Sequence, residues 1–188
     1  FIISGPAGVG KDTILKGILK QFPNFVRLST YTTRTPRIGE GIKKGRIFIS
    51  NDEFETMIAK NEFIEYEKVH AWYYGAKKSD IDNILHAGKA IIFDTDVKGG
   101  LKYKKLYPNN LVLIFIKFEH SIDELRDRIK NNRPDATKQE IELRFQTATN
   151  EMTYENKYDY VTVNPEGHPE KAISEVTKII NQSINLSK

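Results

Sequence analysis

A glycine-rich loop near the start of the chain has the residue types and spacing that most clearly indicate chemistry. It consists of Gly5, Pro6, Ala7, Gly8, Val9, Gly10 and Lys11, and it follows the apolar run Phe1–Ser4. Glycine accepts positive φ, so successive backbone N–H groups can point inward at an anion while the lysine adds a positive charge. The apolar spacing after the loop predicts a helix over 12–21, whose N-terminus also favours anions. The segment is typical of a phosphate-binding loop.

The residue after the lysine departs from the usual pattern of such loops. A serine or threonine normally occupies this position, and its hydroxyl binds Mg²⁺. Here the position is Asp12, and Thr13 follows it. A carboxylate can bind Mg²⁺ but also places negative charge near the phosphates. Two alternatives follow: Asp12 is a metal ligand, or it points away and the Thr13 hydroxyl takes that role.

The composition limits the possible classes of protein. The chain has 188 residues, 29 Lys and Arg against 25 Asp and Glu, and no cysteine. This length predicts one domain, and the evenly spread net charge of +4 suits an anionic ligand without indicating a nucleic-acid groove. Disulfides and thiolate metal sites are excluded, and the four histidines lack metal-ligand spacing. We expect a cytoplasmic protein without membrane partners; its protein partners are unknown.

The order of the predicted elements indicates an α/β fold. Four apolar runs predict strands buried on both faces, at 1–4, 90–94, 111–117 and 160–163. Helical patterns lie at 12–21, 78–87, 97–105, 121–131, 137–154 and 169–182. This alternation predicts a central parallel sheet with helices on both faces. The stretch from Thr30 to Tyr74 has shorter segments and a capping-box pattern at Ser50–Glu53, which predict an inserted mixed α/β subdomain. The first residue lies inside a predicted strand and is not methionine, so we expect residues before it.

Five separated segments then follow one another in an order that resembles the guanylate kinase family. They are Ser29–Glu40 (STYTTRTPRIGE), Glu62–Tyr66 (EFIEY), Trp72–Gly75 (WYYG), Ile92–Asp96 (IFDTD) and Tyr158–Asn164 (YDYVTVN). Together with the glycine-rich loop, the resemblance covers nearly the whole chain. It implies a three-layer P-loop NTPase fold with a core at 1–29, 77–127 and 146–188. It also implies an acceptor-binding subdomain at 30–76 and a helical lid at 128–145.

For the phosphoryl donor, the resemblance implies ATP bound with Mg²⁺. The loop from Gly5 to Thr13 would hold the ATP phosphates, and Asn164 matches a position near the adenine. Asp94 would join Asp12 or Thr13 as a candidate metal ligand. We expect the charge on the transferring phosphoryl group to be neutralised by residues of the loop, subdomain and lid, namely Lys11, Arg34, Arg128, Arg133 and Arg144.

For the acceptor, the resemblance implies GMP. Its phosphate would be bound by the side chains of Thr30, Arg34, Arg37 and Tyr74. Guanidinium groups suit this task because two of them can bind a dianionic phosphate in bidentate fashion. The Glu65 carboxylate would accept hydrogen bonds from the N1–H and exocyclic amine of guanine. Asp94 and Asp96 would orient the acceptor and the hydrated metal ion.

The acceptor region also departs from the family pattern. The family's serine or threonine that donates to the guanine carbonyl is Ala76, and a phosphate-contacting tyrosine is Arg46. Guanine recognition is thereby weakened, while phosphate recognition is kept. Two alternatives to ATP:GMP phosphotransfer therefore remain at this stage. One is a kinase for another phosphate monoester such as ribose 1,5-bisphosphate, and the other is a non-catalytic module that binds phosphopeptides.

Overall fold

The computed structural model describes residues 1–36, 45–69, 71–119, 127 and 137–186. The strands are β1 (Ile2–Ser4), β2 (Phe25–Arg27), β3 (Thr30–Thr32), β4 (Arg46–Phe48), β5 (Phe63–Val69), β6 (Trp72–Lys77), β7 (Ala90–Asp94), β8 (Leu113–Phe118) and β9 (Tyr160–Asn164). The helices are α1 (Lys11–Gln21), α2 (Asn51–Ala59), α3 (Lys78–His86), α4 (Val97–Leu106), α5 (Lys138–Met152) and α6 (Pro169–Leu186). A 3₁₀ turn over Glu155–Lys157 precedes β9.

Five strands form a parallel sheet in the order β2-β7-β1-β8-β9. The strands alternate with helices along the chain, which is the arrangement that parallel pairing requires. Strand β8 is almost entirely buried, in agreement with its continuous apolar sequence. The predicted α/β fold with a central parallel sheet is therefore confirmed. Strand β2 was not predicted, because its three residues carry no periodic signal of their own.

The chain divides into two compact units, Phe1–Phe22 with Asp94–Lys188, and Pro23–Phe93. In the first unit, α1 packs on α6 at a close crossing, where a Cβ on Gly17 would lie 2.4 Å from the Ile173 side chain. The core of this unit includes the fully buried residues Ile2, Ile114 and Phe115. The predicted boundaries of the core, subdomain and lid stay predictions.

The second unit contains a mixed four-stranded sheet in the order β4-β3-β6-β5. Strands β3 and β4 are parallel, and the other two pairings are antiparallel. Helix α2 begins at the predicted capping box: the Ser50 hydroxyl accepts from the Glu53 N–H, and the Glu53 carboxylate accepts from the Ser50 N–H. Its fully buried Phe54 stacks on Phe63 and Tyr73, so the helix covers one face of the sheet. The predicted mixed insertion and its capped helix are thus confirmed.

A register shift in β5 decides which residues face α2. Phe63 pairs with Lys77, whereas Glu65 pairs with Ala76, so one extra residue lies in β5 between them. In regular strands, residues i and i+2 share a face, but a bulge breaks that alternation. Phe63 therefore packs against α2, while Glu65 lies on the opposite face together with Ala76.

The observed helices can be compared with the predicted ones in their bounds and in their length and apolar character. The predicted helices begin and end within a few residues of the observed ones, except the helix at 121–131, which lies outside the described residues apart from Asp127. None of the described helices combines the length and apolar character needed to cross a lipid bilayer.

Candidate active site

The phosphate-binding loop joins β1 to α1 in the first unit, and its shape depends on two glycines. Gly5 has φ of 143°, and a Cβ there would lie 2.1 Å from the Ile116 carbonyl oxygen. Gly10, which precedes the first turn of α1, has φ of 96°, and a Cβ there would lie 2.5 Å from Asn164 Nδ2. Both positions therefore require glycine, since side chains are disfavoured by the backbone conformation and excluded by neighbouring atoms.

Lys11 folds back over this loop. Its Nζ donates to the carbonyl oxygens of Gly5 and Pro6, the latter at 3.0 Å. An ammonium group has three N–H donors, so an anion in the loop can be bound without removing the lysine from its position. The N–H groups at the start of α1 and the positive end of the helix dipole contribute in the same place. The loop thus has the arrangement of an anion site, and its binding of the ATP phosphates stays a prediction.

Asn164, at the end of β9, holds the loop from the side. Its Nδ2 donates to the Val9 carbonyl oxygen at 2.7 Å, and the side chain is almost fully buried. Its Oδ1 is also buried, with no hydrogen-bond partner in the part of the chain that the structure describes. The sequence predicted a contact with ATP for this residue, and the observed contact is with the loop itself.

The two candidate metal ligands next to the lysine have different surroundings. Asp12 Oδ2 lies 2.7 Å from Lys16 Nζ, and both side chains are about half exposed. Thr13 is exposed and its N–H donates to the Gly10 carbonyl oxygen. Because the Asp12 carboxylate already has a cationic partner, ligation by it requires that ion pair to open. Thr13 has no such competing charge.

Asp94 ends β7 and Asp96 follows the strand, at the edge where the sequence places them. Asp96 Oδ1 accepts from the N–H groups of Lys98 and Gly99 at 2.9 and 3.0 Å, so it caps α4. Asp94, at the last position of β7, is partly buried. Asp96 was predicted to orient the acceptor, and the contact observed for it is structural.

Within 1–36, 45–69, 71–119, 127 and 137–186, no three His, Cys, Asp or Glu side chains are grouped to enclose a metal ion. Mg²⁺ typically takes only one or two protein ligands when substrate phosphates supply the rest. A hydroxyl at Thr13 and carboxylates at Asp12 and Asp94 fit that donor chemistry. The residues present therefore suit a metal carried in with a nucleotide.

Helix α5 brings two charged side chains to the first unit. Arg144 is partly buried, its role in neutralising charge stays a prediction, and Glu151 lies two turns further along. Glu151 Oε2 accepts a hydrogen bond from the Ala7 N–H of the loop at 3.3 Å. Burial raises the pKa of the Glu151 carboxyl, Lys11 opposes this rise, and Asp96 adds to it. The sequence analysis missed Glu151; its spacing from Arg144 and Ala148 on one helix face was the available signal.

The acceptor residues lie in the second unit, on the face of the mixed sheet opposite α2. Cross-strand partners share a face, and the register pairs Thr30 with Arg46, Thr32 with Tyr74, and Glu65 with Ala76. Residues i and i+2 share it as well, which places Thr30 beside Thr32 and Tyr74 beside Ala76. We call this surface the polar face; it comprises Thr30, Thr32, Arg46, Phe48, Glu65, Glu67, Tyr74 and Ala76.

Two arginines lie at this polar face. A guanidinium nitrogen of Arg46 donates to the Thr30 hydroxyl, which is buried. Arg34 lies over the Phe48 ring, 5.5 Å from its centroid, and donates to the Thr35 carbonyl oxygen at 2.9 Å. The structure therefore brings together the predicted phosphate-binding residues Thr30, Arg34 and Arg46. The predicted residues Arg37, Arg128 and Arg133 lie outside the described residues.

Glu65 and Ala76 form the part of the polar face that could read a base. Oε2 of Glu65 is buried, and Ala76 is fully buried directly opposite it. A carboxylate accepts hydrogen bonds only, so it selects partners with N–H groups. Ala76 offers no donor, in agreement with the departure noted in the sequence.

Comparison with known proteins agrees with this arrangement. The family model described as guanylate kinase matches residues 1–183. The guanylate kinase of Clostridium tetani is 39% identical over 181 residues, covering 96% of this chain and 84% of that protein. The guanylate kinase of Rickettsia prowazekii is 40% identical over 165 residues, covering 87% and 82%.

A solved structure supports the same assignment. The crystal structure of guanylate kinase from Anaplasma phagocytophilum superimposes with a TM-score of 0.76 at 26% identity, covering 96% of this chain and 83% of that one. The family match over residues 1–183 spans the loop, both sheets and the segments that carry the candidate site. This chain belongs to the guanylate kinase family.

Proposed function

We propose that this chain is an ATP:GMP phosphotransferase, which transfers the γ-phosphoryl group of ATP to GMP and yields ADP and GDP. The observation that carries the proposal is the polar face, where the carboxylate of Glu65 and the guanidinium groups of Arg34 and Arg46 belong to one sheet surface. A carboxylate for the base and cations for the phosphate are what GMP requires. Membership of the guanylate kinase family supports the same reaction.

The donor ATP would bind through its phosphates to the loop of the first unit. The backbone N–H groups, Lys11 and the N-terminus of α1 are positive groups already held in place. Such preorganised groups stabilise charge that develops on the transferring phosphoryl group without reorganising during the reaction. Asn164 would support ATP binding through the loop, because its contact is with the Val9 carbonyl oxygen.

The acceptor GMP would bind at the polar face of the second unit. Arg34 and Arg46, with Arg37 and the hydroxyls of Thr30 and Tyr74, would bind its phosphate. Glu65 would accept hydrogen bonds from the N1–H and exocyclic amine of guanine. Because Arg46 already donates to Thr30, the two side chains form one preformed group rather than two independent contacts.

The chemical step needs little beyond positioning. An oxygen of the GMP phosphate forms the new bond to the γ-phosphorus, and the bond between that phosphorus and the oxygen bridging to the β-phosphate breaks. The attacking phosphate oxygen is already ionised, so no side chain has to remove a proton. Lys11, Arg34, Arg144 and the predicted Arg128 and Arg133 would neutralise charge, and exclusion of water would strengthen their effect.

Mg²⁺ is the implied cofactor. When bound, it would supply positive charge that neutralises the phosphates of ATP. Thr13, Asp12 and Asp94 are the residues that would hold it, and the Asp12–Lys16 pair favours Thr13 over Asp12. If Asp12 is a ligand, Asp12→Ala raises the Mg²⁺ requirement; if Thr13 is the ligand, Thr13→Ala does so. A cytoplasmic location stays a prediction.

A substrate screen tests the function. ADP formation from ATP and Mg²⁺ is measured with GMP, dGMP, AMP, UMP and ribose 1,5-bisphosphate as acceptors, and with no acceptor as the background. We expect the highest kcat/KM with GMP and dGMP. A higher value on ribose 1,5-bisphosphate would reassign the acceptor, and ATP binding without transfer to any acceptor would reassign the chain to the binding-module class.

A further inference from the structure

The first unit has a carboxylate directly against its phosphate-binding loop, where a negative group is unexpected. Glu151, in the last turn of α5, lies against the phosphate-binding loop and accepts a hydrogen bond from the Ala7 N–H. The loop is built to bind anions, and the carboxylate occupies one of its N–H donors. Two charged groups act on the Glu151 carboxyl: Lys11 favours its ionised form, and Asp96 disfavours it. Glu151 thus places a carboxyl oxygen of the protein itself against the loop.

The other side chains on the same face of α5 show what this contact controls. Arg144, Ala148 and Glu151 are spaced i, i+4 and i+7, so they form one stripe along the helix. Ala148 is fully buried, which means that the helix packs closely along this stripe. Arg144 lies about 10 Å along the helix axis from Glu151, since each residue rises 1.5 Å. A rigid helix that is fixed at Glu151 therefore has Arg144 fixed as well.

We propose that Glu151 is a positioning residue: its hydrogen bond to the Ala7 N–H sets the rotation of α5 about its axis and thereby holds Arg144 on the side of the phosphate-binding loop. The inference rests on the proposed phosphotransfer, in which Arg144 neutralises charge on the transferring group. A rotation of α5 by one residue step turns the stripe by about 100° and moves Arg144 off this side. The Glu151 side chain then links the orientation of the helix to the loop.

Two substitutions separate positioning from a charge effect. Glu151→Gln keeps the shape and a carbonyl oxygen that accepts from the Ala7 N–H, but it removes the charge. Glu151→Ala removes the acceptor itself. If Glu151 acts by position, the glutamine variant retains activity and the alanine variant does not. If it acts by balancing the charge of Lys11, both variants lose activity to a similar extent.

Steady-state kinetics of the full chain provide the first test. We expect Glu151→Ala to lower kcat at least about tenfold, as loss of a hydrogen bond to a charged group does, and Glu151→Gln to lower it less than about threefold. The KM for ATP changes less than kcat, because the other loop donors remain. Glu175→Ala removes an exposed carboxylate of α6 and serves as the matched control, with unchanged kcat. Equal losses in the glutamine and alanine variants would overturn the proposal.

A double-mutant cycle tests the link to Arg144. If Glu151 acts through Arg144, then adding Glu151→Ala to Arg144→Ala lowers kcat by less than about twofold. Full additivity of the two losses would contradict the proposal. Thermal unfolding of every variant is measured as well, so that a variant that has lost its fold is recognised. If Glu151→Ala unfolds, Glu151→Gln, which keeps the acceptor oxygen, still allows comparison with the wild type.

A readout without catalysis keeps this inference separate from the proposed function. In ¹⁵N-labelled protein, the Ala7 amide and the Arg144 Nε–H resonances are compared between the wild type and the three carboxylate variants. We expect faster hydrogen exchange at Ala7 and a shifted Arg144 signal in Glu151→Ala, with both close to wild type in Glu151→Gln and Glu175→Ala. Unchanged Ala7 exchange or an unchanged Arg144 signal in Glu151→Ala would contradict the proposal, even in a protein that fails to phosphorylate GMP.

Discussion

The phosphate-binding loop and the polar face bind similar groups but are built in different ways. The loop is made of consecutive residues, and its recognition groups are mostly backbone N–H donors and one lysine. The polar face is made of side chains from four strands, brought together by the register of the sheet. The loop therefore depends on local backbone geometry, whereas the polar face depends on correct pairing of distant segments.

This difference predicts different responses to substitution. In the loop, most side chains can change provided that the glycines and the lysine remain, because the backbone provides the contacts. At the polar face, each side chain provides a separate contact, so substitutions have graded effects.

Lys11→Met should remove the main positive side chain of the loop. We expect kcat to fall by about 10²–10³-fold, which corresponds to about 3–4 kcal/mol of transition-state stabilisation. The unfolding temperature should change little, because Lys11 donates to the carbonyl oxygens of Gly5 and Pro6 in the loop and is not one of the buried hydrophobic residues of the core. Rates are measured by ADP formation, and the fold by circular dichroism. Near-normal turnover in the folded variant would contradict the kinase function.

Glu65→Gln should affect GMP recognition but not the loop. The amide retains one acceptor oxygen and loses the charge, so we expect kcat/KM for GMP to fall. The fall should correspond to a loss of about 1.5–3 kcal/mol of transition-state stabilisation, the range for a hydrogen bond to a charged group. The KM for ATP should stay unchanged. Glu55→Gln, at an exposed position of α2, is the matched control. An equal effect of both variants would show that Glu65 does not contact the base.

Ala76→Ser should strengthen the polar face by adding the missing donor. We expect the KM for GMP to fall about fivefold, which corresponds to one hydrogen bond of about 1 kcal/mol. Without GMP, the variant should unfold at a lower temperature, because position 76 is fully buried and the added hydroxyl is costly there. GMP should offset this loss in a thermal shift measurement. An unchanged KM would argue that guanine does not lie near Ala76.

Ser50→Ala should have the smallest effect. Ser50 caps helix α2, which packs on the opposite side of the sheet from the polar face. Hydrogen bonds from the Ser50 N–H and hydroxyl lower the pKa of Glu53. Their stabilisation is therefore present above the ordinary glutamate pKa and is lost as the pH falls through the lowered value in the folded state. At pH 7 we expect the unfolding temperature to fall by about 2–4 °C.

The pH dependence provides the control for this variant. The difference in unfolding temperature between wild type and Ser50→Ala should shrink between pH 5 and about pH 3, where Glu53 becomes protonated in both proteins. The kcat at pH 7 should stay unchanged. A difference that grows on acidification would contradict the role of the Ser50–Glu53 capping box.

The same contrast explains what the sequence could predict. The loop is a contiguous motif, so the sequence places Gly5, Gly10 and Lys11 together, while their part in binding ATP stays a prediction; the parallel sheet followed from long apolar runs. Asp96 was predicted as an acceptor ligand from its place after β7, but a residue there can equally cap the next helix, which is the contact observed.

The remaining features depend on tertiary contacts that leave little signal in one sequence. Glu151 is 144 positions from Ala7 along the chain, and a glutamate near the end of a helix is usually a solvated residue. Likewise, the register of β5 against β6 is not encoded in any residue type, so the face of Glu65 could not be predicted from alternation alone.

The bulge between Phe63 and Glu65 gives β5 one residue that the register of the polar face does not use. Ile64 is that residue, and its side chain is only partly buried, so many residue types should be accepted at position 64. Deleting it would make Phe63 and Glu65 consecutive residues of a regular strand, which lie on opposite faces just as the bulge places them, so the carboxylate would stay on the polar face. Base recognition in this protein therefore tolerates both exchange and loss of the residue at position 64.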